Sequence, residues 1–440
     1  MSLRQHAVLI WQAAVDAARR QDLLRQVLTD GPVAQALANA KRIVVVGAGK
    51  AGAAMAEGVE SALPHLLDRI TGMVAVPAES VRLLRSIRLH AARPAASNQP
   101  TGQGVVGAQG ILRLICEAGA DDVALCLISG GGSALLPAPV EGVSLDDKQR
   151  ITQLLHASGA TINEMNAVRK HLSRIKGGRL AEAFRGQALI SLILSDVIGD
   201  PLDVIASGPT APDPTTFADA LAVLQGYQLI DQVPPAVLSH LQRGAAGQIG
   251  ETPKHLPANV HNLILANNAR SLAAAQLTAE QLGYGVLNLG SWIEGETLHV
   301  ATALAGLVRS IQRDGQPLRA PACILSGGET TVTLAKDHGL GGRNVEFVLA
   351  AAGKLGALGL KGVVVLSGGT DGEDGPTDAA GAIADEQTLR AAAQAQLDPV
   401  VFLERNDAYH FFEATGDLLK TGLTETNVMD VRVILVTSVL

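Results

Sequence analysis

A chain of 440 residues is long enough for two domains, and its 47 % of hydrophobic residues supply large cores. Aromatic residues make up only 2 %, too few to form platforms for stacked bases, and a net charge of −7 opposes binding to a phosphate backbone. Both features argue against nucleic acid as a partner, and no apolar run is long enough to span a bilayer.

The first twenty residues, MSLRQHAVLIWQAAVDAARR, read as an amphipathic helix interrupted by charge rather than a signal peptide, so a cytoplasmic location is expected. Arg42 to Val46 then read as a strand running into Gly47-Ala48-Gly49-Lys50-Ala51-Gly52, with a helix from Ala53. This is G-x-G-x-x-G in its strand–turn–helix context. A dinucleotide site also needs an acid at the end of the next strand. That strand, Gly72 to Val76, ends in Pro77-Ala78, and Glu79 comes only afterwards. Lys50 stands at a helix start, where the dipole disfavours a cation unless an anion binds there. Lys50 is therefore a candidate phosphate-binding lysine; a solvated loop lysine is the plainer reading.

Residues 90–104 read as a polar loop, followed by a helix from Gly107 to Ala118 and a strand from Val123 to Ile128. That strand ends abruptly in Ser129-Gly130-Gly131-Gly132-Ser133. The glycines can turn tightly and present N–H groups to an anion. A helix over Leu145–Ser158 precedes a stretch with five cations and a histidine within eleven positions, Arg169 to Arg179. Two readings of that stretch stand: a solvated helix face, or a cationic wall for an anionic substrate. Ala188 to Leu194 is a further buried strand, and Asp196 emerges at its carboxyl end, a common position for a base. Gln242 to Pro257 is rich in chain breakers and is expected to be the interdomain linker or hinge. The expected domains are 1–242 and 257–440.

The second half repeats the alternation of strand and helix from His261. Cys323-Ile324-Leu325 runs into Ser326-Gly327-Gly328-Glu329, and Val363 to Leu366 into Ser367-Gly368-Gly369-Thr370-Asp371. With Ser129-Gly130-Gly131, Ser-Gly-Gly closes a strand three times, and open α/β sheets bind ligands at the carboxyl ends of strands. Tight turns alone would also account for the small residues. Gly341-Gly342-Arg343 opens a helix and again places a cation at a helix start; an arginine there suits a carboxylate or phosphate. Glu329 and Asp371 are candidate carboxylates for Mg²⁺ held mainly by substrate phosphates, with turn capping as the alternative for the acidic loop after Asp371. Of the three cysteines, Cys126 and Cys323 read as small core residues, and no spacing resembles a zinc site.

Eight motifs in order now point to one family. They are VVVGAGKAG, LISGGGSALLPAP, VRKHLSRIKGGRLA, LSDVIGDPLDVIASGPT, LSGGETTVTL, GLGGRNVEF, SGGTDGEDGPTDAAG and TGLTETNVMD. The chain resembles the glycerate 2-kinases of the MOFRL type, also known as TtuD-like hydroxypyruvate reductases, over nearly its whole length. The family's usual Gly-His-Pro-type turn is absent from AARPAASNQ, residues 91–99, which are assigned no role. The resemblance implies an α/β chain of two domains, a Rossmann-like three-layer N-terminal domain and a second α/β domain, with the active site in the cleft between them. It implies ATP-dependent phosphorylation of D-glycerate at the 2-hydroxyl, with Mg²⁺ arriving on the nucleotide. The family's active-site lysine and arginine fall on Lys50 and Arg343, and Asp196 is the candidate for orienting or deprotonating the hydroxyl. Gly47, Gly49, Ser129, Gly130, Gly131, Gly132, Ser133, Ser326, Gly327, Gly328, Gly341 and Gly342 are the expected nucleotide contacts, and Glu329 and Asp371 the expected metal contacts. The alternatives are an NAD(P)H-dependent hydroxypyruvate reductase and a non-catalytic binder of phosphorylated metabolites. The sequence does not set the oligomeric state, a homodimer being one option.

Overall fold

The computed structural model describes residues 1–19, 21–94 and 99–437. The chain divides into two compact units, one spanning Gln21–Leu265 and the other combining the N-terminal helix with Ala266–Leu440. No helix among the described residues is long and apolar enough to cross a membrane.

The Gln21–Leu265 unit is built on strands β1 (Ile43–Ala48), β2 (Ile70–Pro77), β3 (Ile87–Arg93), β4 (Val123–Ile128), β5 (Ala188–Leu194) and β6 (Val260–Ala266). Their order is β3-β2-β1-β4-β5-β6, and β3-β2, β2-β1, β1-β4 and β4-β5 all pair in parallel. β1 and β4 are buried along their whole length, as continuous apolar runs in the middle of a parallel sheet should be. The chain leaves β1 toward β2 and β3 and returns to β4 on the other side. The carboxyl ends of β1 and β4 therefore form the sheet's topological switch point, the usual ligand crevice of an open α/β sheet. Beside the sheet, the helices Leu145–Ala157, Ile162–His171, Phe217–Gly226 and Pro235–Ala245 share a separate core that includes Ile151, Leu155, Val168, Phe217, Leu224 and Leu241.

Two expectations are corrected in this unit. Residues 90–104 are not all loop: β3 runs to Arg93, and the next helix starts at Gly102, capped by Thr101. β3 is an edge strand whose His90 and Arg93 are polar yet buried, so its pattern does not read as a strand. Residues 95–98 of the AARPAASNQ stretch lie outside the described residues. The expected linker is also tied into the unit. Asp213 N–H donates to Pro253 O (2.8 Å), Thr252 Oγ1 donates to Asp213 Oδ2 (2.9 Å), and Glu251 Oε1 accepts from Phe217 N–H (2.9 Å). Its breakers shape an anchored loop, and the strand after it is the sixth of the first sheet rather than the first of a new one. By contacts the two compact units part at Leu265/Ala266.

The other unit is a mixed sheet of β7 (Gly285–Asn288), β8 (Ala322–Gly328), β9 (Val363–Gly369), β10 (Gly381–Ala384), β11 (Leu418–Leu419) and β12 (Asp430–Val436). The order is β11-β10-β9-β12-β8-β7, with β12 antiparallel between β8 and β9. One face packs against the helices Thr297–Asp314 and Arg343–Gly359 through residues such as Val308, Phe347 and Leu355. The other is covered by helix Asn268–Gln281 and by the N-terminal helix Leu3–Arg19, whose Ile10, Trp11 and Val15 pack near Leu325, Leu366 and Val433. The first helix thus packs on the second sheet.

This packing also explains two of the Ser-Gly-Gly copies. Ser326-Gly327-Gly328 and Ser367-Gly368-Gly369 lie inside β8 and β9 and are not turns. A side chain on Gly327 would run into the Asn268 amide, and one on Gly368 would begin 2.8 Å from the Trp11 indole nitrogen. Trp11 Nε1–H donates to Gly368 O (3.1 Å), so glycine lets the helix lie close to the strand.

Trp11→Ala should destabilise this unit by about 3–5 kcal/mol, through lost burial and a cavity, in urea unfolding followed by circular dichroism. Trp292→Ala, at a position 70 % exposed, should stay within about 0.5 kcal/mol. Equal effects from the two would show that the first helix is not part of this core.

Candidate functional site

At the switch point, β1 and β4 lie so close that a side chain on Gly47 would strike the Leu127 backbone and one on Gly49 would strike Ser129. Both glycines have positive φ, 153° and 149°. They serve the close approach of the two strands, so their place in G-x-G-x-x-G comes from packing. Ser129 Oγ accepts from Ala51 N–H (3.0 Å) at the head of helix Gly52–Ala62, and Lys50 N–H donates to Gly130 O (2.8 Å). The two loops are thus fastened to each other. Gly131 follows in the left-handed region (φ 75°), and Lys50 Cγ and Arg93 Nη2 lie 3.6 Å and 3.2 Å from where a side chain on it would begin. Lys50 is half-buried and Arg93 buried, so the organising turn has cations from β3 and from the β1 loop beside it. Arg93 is absent from the residues expected from sequence, because its strand reads as loop.

More cations stand at Ser133. Its Oγ accepts from Arg169 Nη2 and from Lys176 Nζ (2.7 Å), and Lys176 Nζ also donates to Ser133 O (2.9 Å). Ser133 Oγ and Ser207 Oγ are 2.9 Å apart, and Ser207 donates to Asn166 Oδ1 (3.1 Å). Lys148, on the neighbouring helix, donates to Leu172 O (3.0 Å). Lys148 and Lys176 are buried and Arg169 is half-buried, which overturns the solvated-face reading of the basic stretch; Arg174 alone among its cations is exposed. Burial and the nearby Arg169 push Lys148 down to about 7. Burial, then Arg169 and Lys148, holds Lys176 well below the usual lysine value. Asp196 is half-buried two residues past the end of β5, on the same edge of the sheet as Ser129.

The other unit gathers carboxylates around Arg343, in the first turn of helix Arg343–Gly359. Its Nε donates to Asp430 Oδ2 (2.7 Å) and its Nη1 to Glu329 Oε1 (2.6 Å). Asp430 is fully buried at the start of β12, where Arg432 Nη2 (3.4 Å) and Asn344 Nδ2 (3.0 Å) also reach it. The anion expected opposite Arg343 is thus supplied by the protein. The helix head is likewise taken: Asp374 accepts from Asn344 N–H (3.0 Å) and Val345 N–H (2.8 Å), and a side chain on Gly342 would run into that carboxylate. Gly341 and Gly342 make room for an internal cap, where an external anion was expected. Burial pushes Asp374 up to about 7, with its N–H donors and Arg343 opposing and Asp430 adding. Burial also raises Glu329, opposed by Arg343 and reinforced by Asp430 and Asp371. Among the described residues no group of three or more His, Cys, Asp or Glu is placed to hold a metal ion by itself. The excess of carboxylate at Glu329 and Asp371 does fit a hard cation that brings most of its ligands on phosphates.

Comparison with known proteins gives two family matches, a domain of unknown function (DUF4147) over residues 6–242 and the MOFRL family over 322–430. The chain is 38 % identical to the glycerate 2-kinase of Pyrococcus horikoshii, over 90 % of this chain and 88 % of that protein. It is 43 % identical to an Agrobacterium vitis protein provisionally named a hydroxypyruvate reductase, over 90 % of this chain and 87 % of the other. The crystal structure of a glycerate kinase from Thermotoga maritima superposes with a TM-score of 0.84 at 35 % identity, covering 99 % of both chains.

The buried ionisable groups predict how stability varies with pH. Lys148 titrates near 7 when folded and near 10.5 when unfolded, so the unfolded chain holds more protons between those values. Its contribution to stability should rise from about pH 7 toward pH 10, with Lys176 adding in the same direction. Asp374 titrates near 7 when folded and 3.8 when unfolded, so its contribution should fall from about pH 4 to pH 7. Urea midpoints across pH, in buffer free of phosphate and sulfate, should show both slopes. Lys148→Met should flatten the alkaline one and Asp374→Asn the acid one; unchanged profiles would contradict the assignment.

Proposed function

Because the chain belongs to the MOFRL-type glycerate kinase family, we propose that it transfers the γ-phosphoryl of ATP to the 2-hydroxyl of D-glycerate, giving ADP and 2-phosphoglycerate. The observation that carries the reading is the glycine turn at the switch point with Lys50 and Arg93 beside it. Phosphoryl transfer needs positioning and charge neutralisation more than covalent chemistry. Lys50 neutralises charge on the transferring phosphoryl, and the 130–133 turn supports the phosphates. Arg343 supplies the second cation, held ready by Asp430 and Glu329. Asp196 orients the substrate hydroxyl or takes its proton. Glu329 and Asp371 would hold Mg²⁺ together with the nucleotide phosphates, and the bound ion would supply charge neutralisation there.

Geometry disfavours the nicotinamide reading. A dinucleotide pyrophosphate rests on N–H groups at the first helix head, and here Ser129 Oγ already accepts from Ala51 N–H. Glu79 sits past the end of β2 in a 3₁₀ turn, beyond the strand-end position that the ribose acid would need. A cytoplasmic location accords with three free cysteines.

Lys50→Met should remain folded and lose roughly 10³-fold in turnover, measured as ADP release with D-glycerate, ATP and Mg²⁺. Arg343→Met should lose a similar factor, and also about 2–3 kcal/mol of stability because Asp430 is left with less compensation; the figure allows for the partial exposure of Arg343. Arg343→Lys should recover only part of the rate, since a point charge cannot span both carboxylates as the planar fork does. Near-normal turnover in Lys50→Met, or oxidation of NADH by hydroxypyruvate at a comparable rate, would overturn the assignment.

A further inference from the structure

The cations about Ser133 are not required by the roles assigned above, and the fold does not neutralise them. Lys148, Arg169 and Lys176 come from two helices and the loop that follows the second; Arg169 and Lys176 meet at Ser133, and Lys148 lies near enough to both to act on their charge. Among the described residues none of the three has a carboxylate within ion-pairing distance; they donate to the Ser133 oxygens, Asn166 Oδ1 and Leu172 O. Lys170, next to Arg169 in sequence, is an internal contrast. It is equally buried and is paired with Asp203 (2.9 Å) and Asp213 (3.2 Å). The protein therefore compensates a buried lysine where charge is only structural, and leaves Arg169 and Lys176, a few residues away, and Lys148 on the preceding helix without a carboxylate partner among the described residues.

The hydroxyl at the centre cannot make up the deficit. Ser207 gives its proton to Asn166, so Ser133 must give its own to Ser207. Both lone pairs of Ser133 then face Arg169 and Lys176, and with the Ser133 carbonyl and the Asn166 amide oxygen these partners are all neutral. The arrangement is held under backbone strain, with Ala206 and Ser207 both in the left-handed region (φ 51° and 62°). Ser133 and Arg169 are only half-buried, so the cluster is open on that side.

We propose that Arg169 and Lys176, which bond the Ser133 hydroxyl, together with Lys148 on the neighbouring helix, form an oxyanion site that takes a carboxylate or phosphate group of the reactants. The proposal rests on the glycerate kinase reading for its candidate ligands. The shared chemistry is a small oxyanion with two or more acceptor oxygens, which a guanidinium and two ammonium groups can bind by charge-assisted hydrogen bonds. D-glycerate offers its carboxylate beside the reacting hydroxyl; ATP offers its phosphates.

The test uses the full chain carrying Arg169→Met, Lys176→Met or Arg169→Lys. In the two methionine variants, KM for either D-glycerate or ATP should rise about 10-fold or more, and Arg169→Lys should recover part of it. A rise for D-glycerate identifies a carboxylate site, and a rise for ATP a phosphate site. Inorganic phosphate should raise the melting temperature of the wild type and raise that of the methionine variants much less. In phosphate-free buffer these variants should melt no lower than the wild type, because an uncompensated buried cation has gone. Both KM values within about twofold of wild type, with undiminished stabilisation by phosphate, would overturn the site. So would a drop in melting temperature with both constants unchanged, which marks a structural role. If the wild type shows no glycerate kinase turnover, the functional reading fails, and the phosphate arm still decides whether the site exists.

Discussion

The structure depends on an imbalance of charge at the carboxyl ends of β1 and β4. A parallel sheet with buried central strands leaves a crevice where its connections part, and in the turn that follows β4 this protein holds Arg169 and Lys176 on the Ser133 hydroxyl with no carboxylate in ion-pairing distance of either among the described residues. Burying a cation without a partner costs several kcal/mol, and the cost grows as like charges are added. The glycines at 47, 49 and 131 and the left-handed backbone at 206–208 are what let these segments approach so closely. The local sacrifices in stability all converge on one ligand chemistry, that of an oxyanion.

The second unit has the opposite imbalance. Glu329, Asp371, Asp374 and Asp430 cluster around Arg343 and Arg432, and burial raises Glu329 and Asp374 even with the arginines present. A phosphoryl-transfer reaction calls for both surroundings: cations for the phosphates, and carboxylates that can accept a proton or share a divalent ion. Arg343 is paired with two of these carboxylates, and its partly exposed guanidinium has N–H groups beyond those two bonds.

Much of this was legible in the sequence. The apolar runs of β1, β4 and β5 end close to their observed limits, and Lys50 stood out because a cation at a helix head makes little sense without an anion. The family motifs carried the reaction. What misled was local pattern without packing. Ser-Gly-Gly reads as a turn in all three copies, yet in β8 and β9 it is strand, kept small by Asn268 and Trp11 from distant parts of the chain. Breakers at 242–257 look like a linker because the bonds that anchor them run to Asp213, Phe217 and His171. The basic stretch looks solvated because charge on a helix usually is; only the fold shows Lys170 paired and Lys176 not. Arg93 gave no signal at all, since its edge strand mixes buried polar and exposed small residues.

The most direct test of this account is the proton balance of binding. Burial and Arg169 push Lys148 down to about 7, and an anion bound nearby should push it back up, so that the group takes up protons on binding at pH 8. Titrating D-glycerate, and separately ATP without metal, into the full chain at pH 8 in buffers of different ionisation enthalpy reads this directly. The account predicts net proton uptake with at least one of the two ligands, and its loss in Lys148→Met. Binding of both ligands with no exchange of protons in any buffer would contradict it.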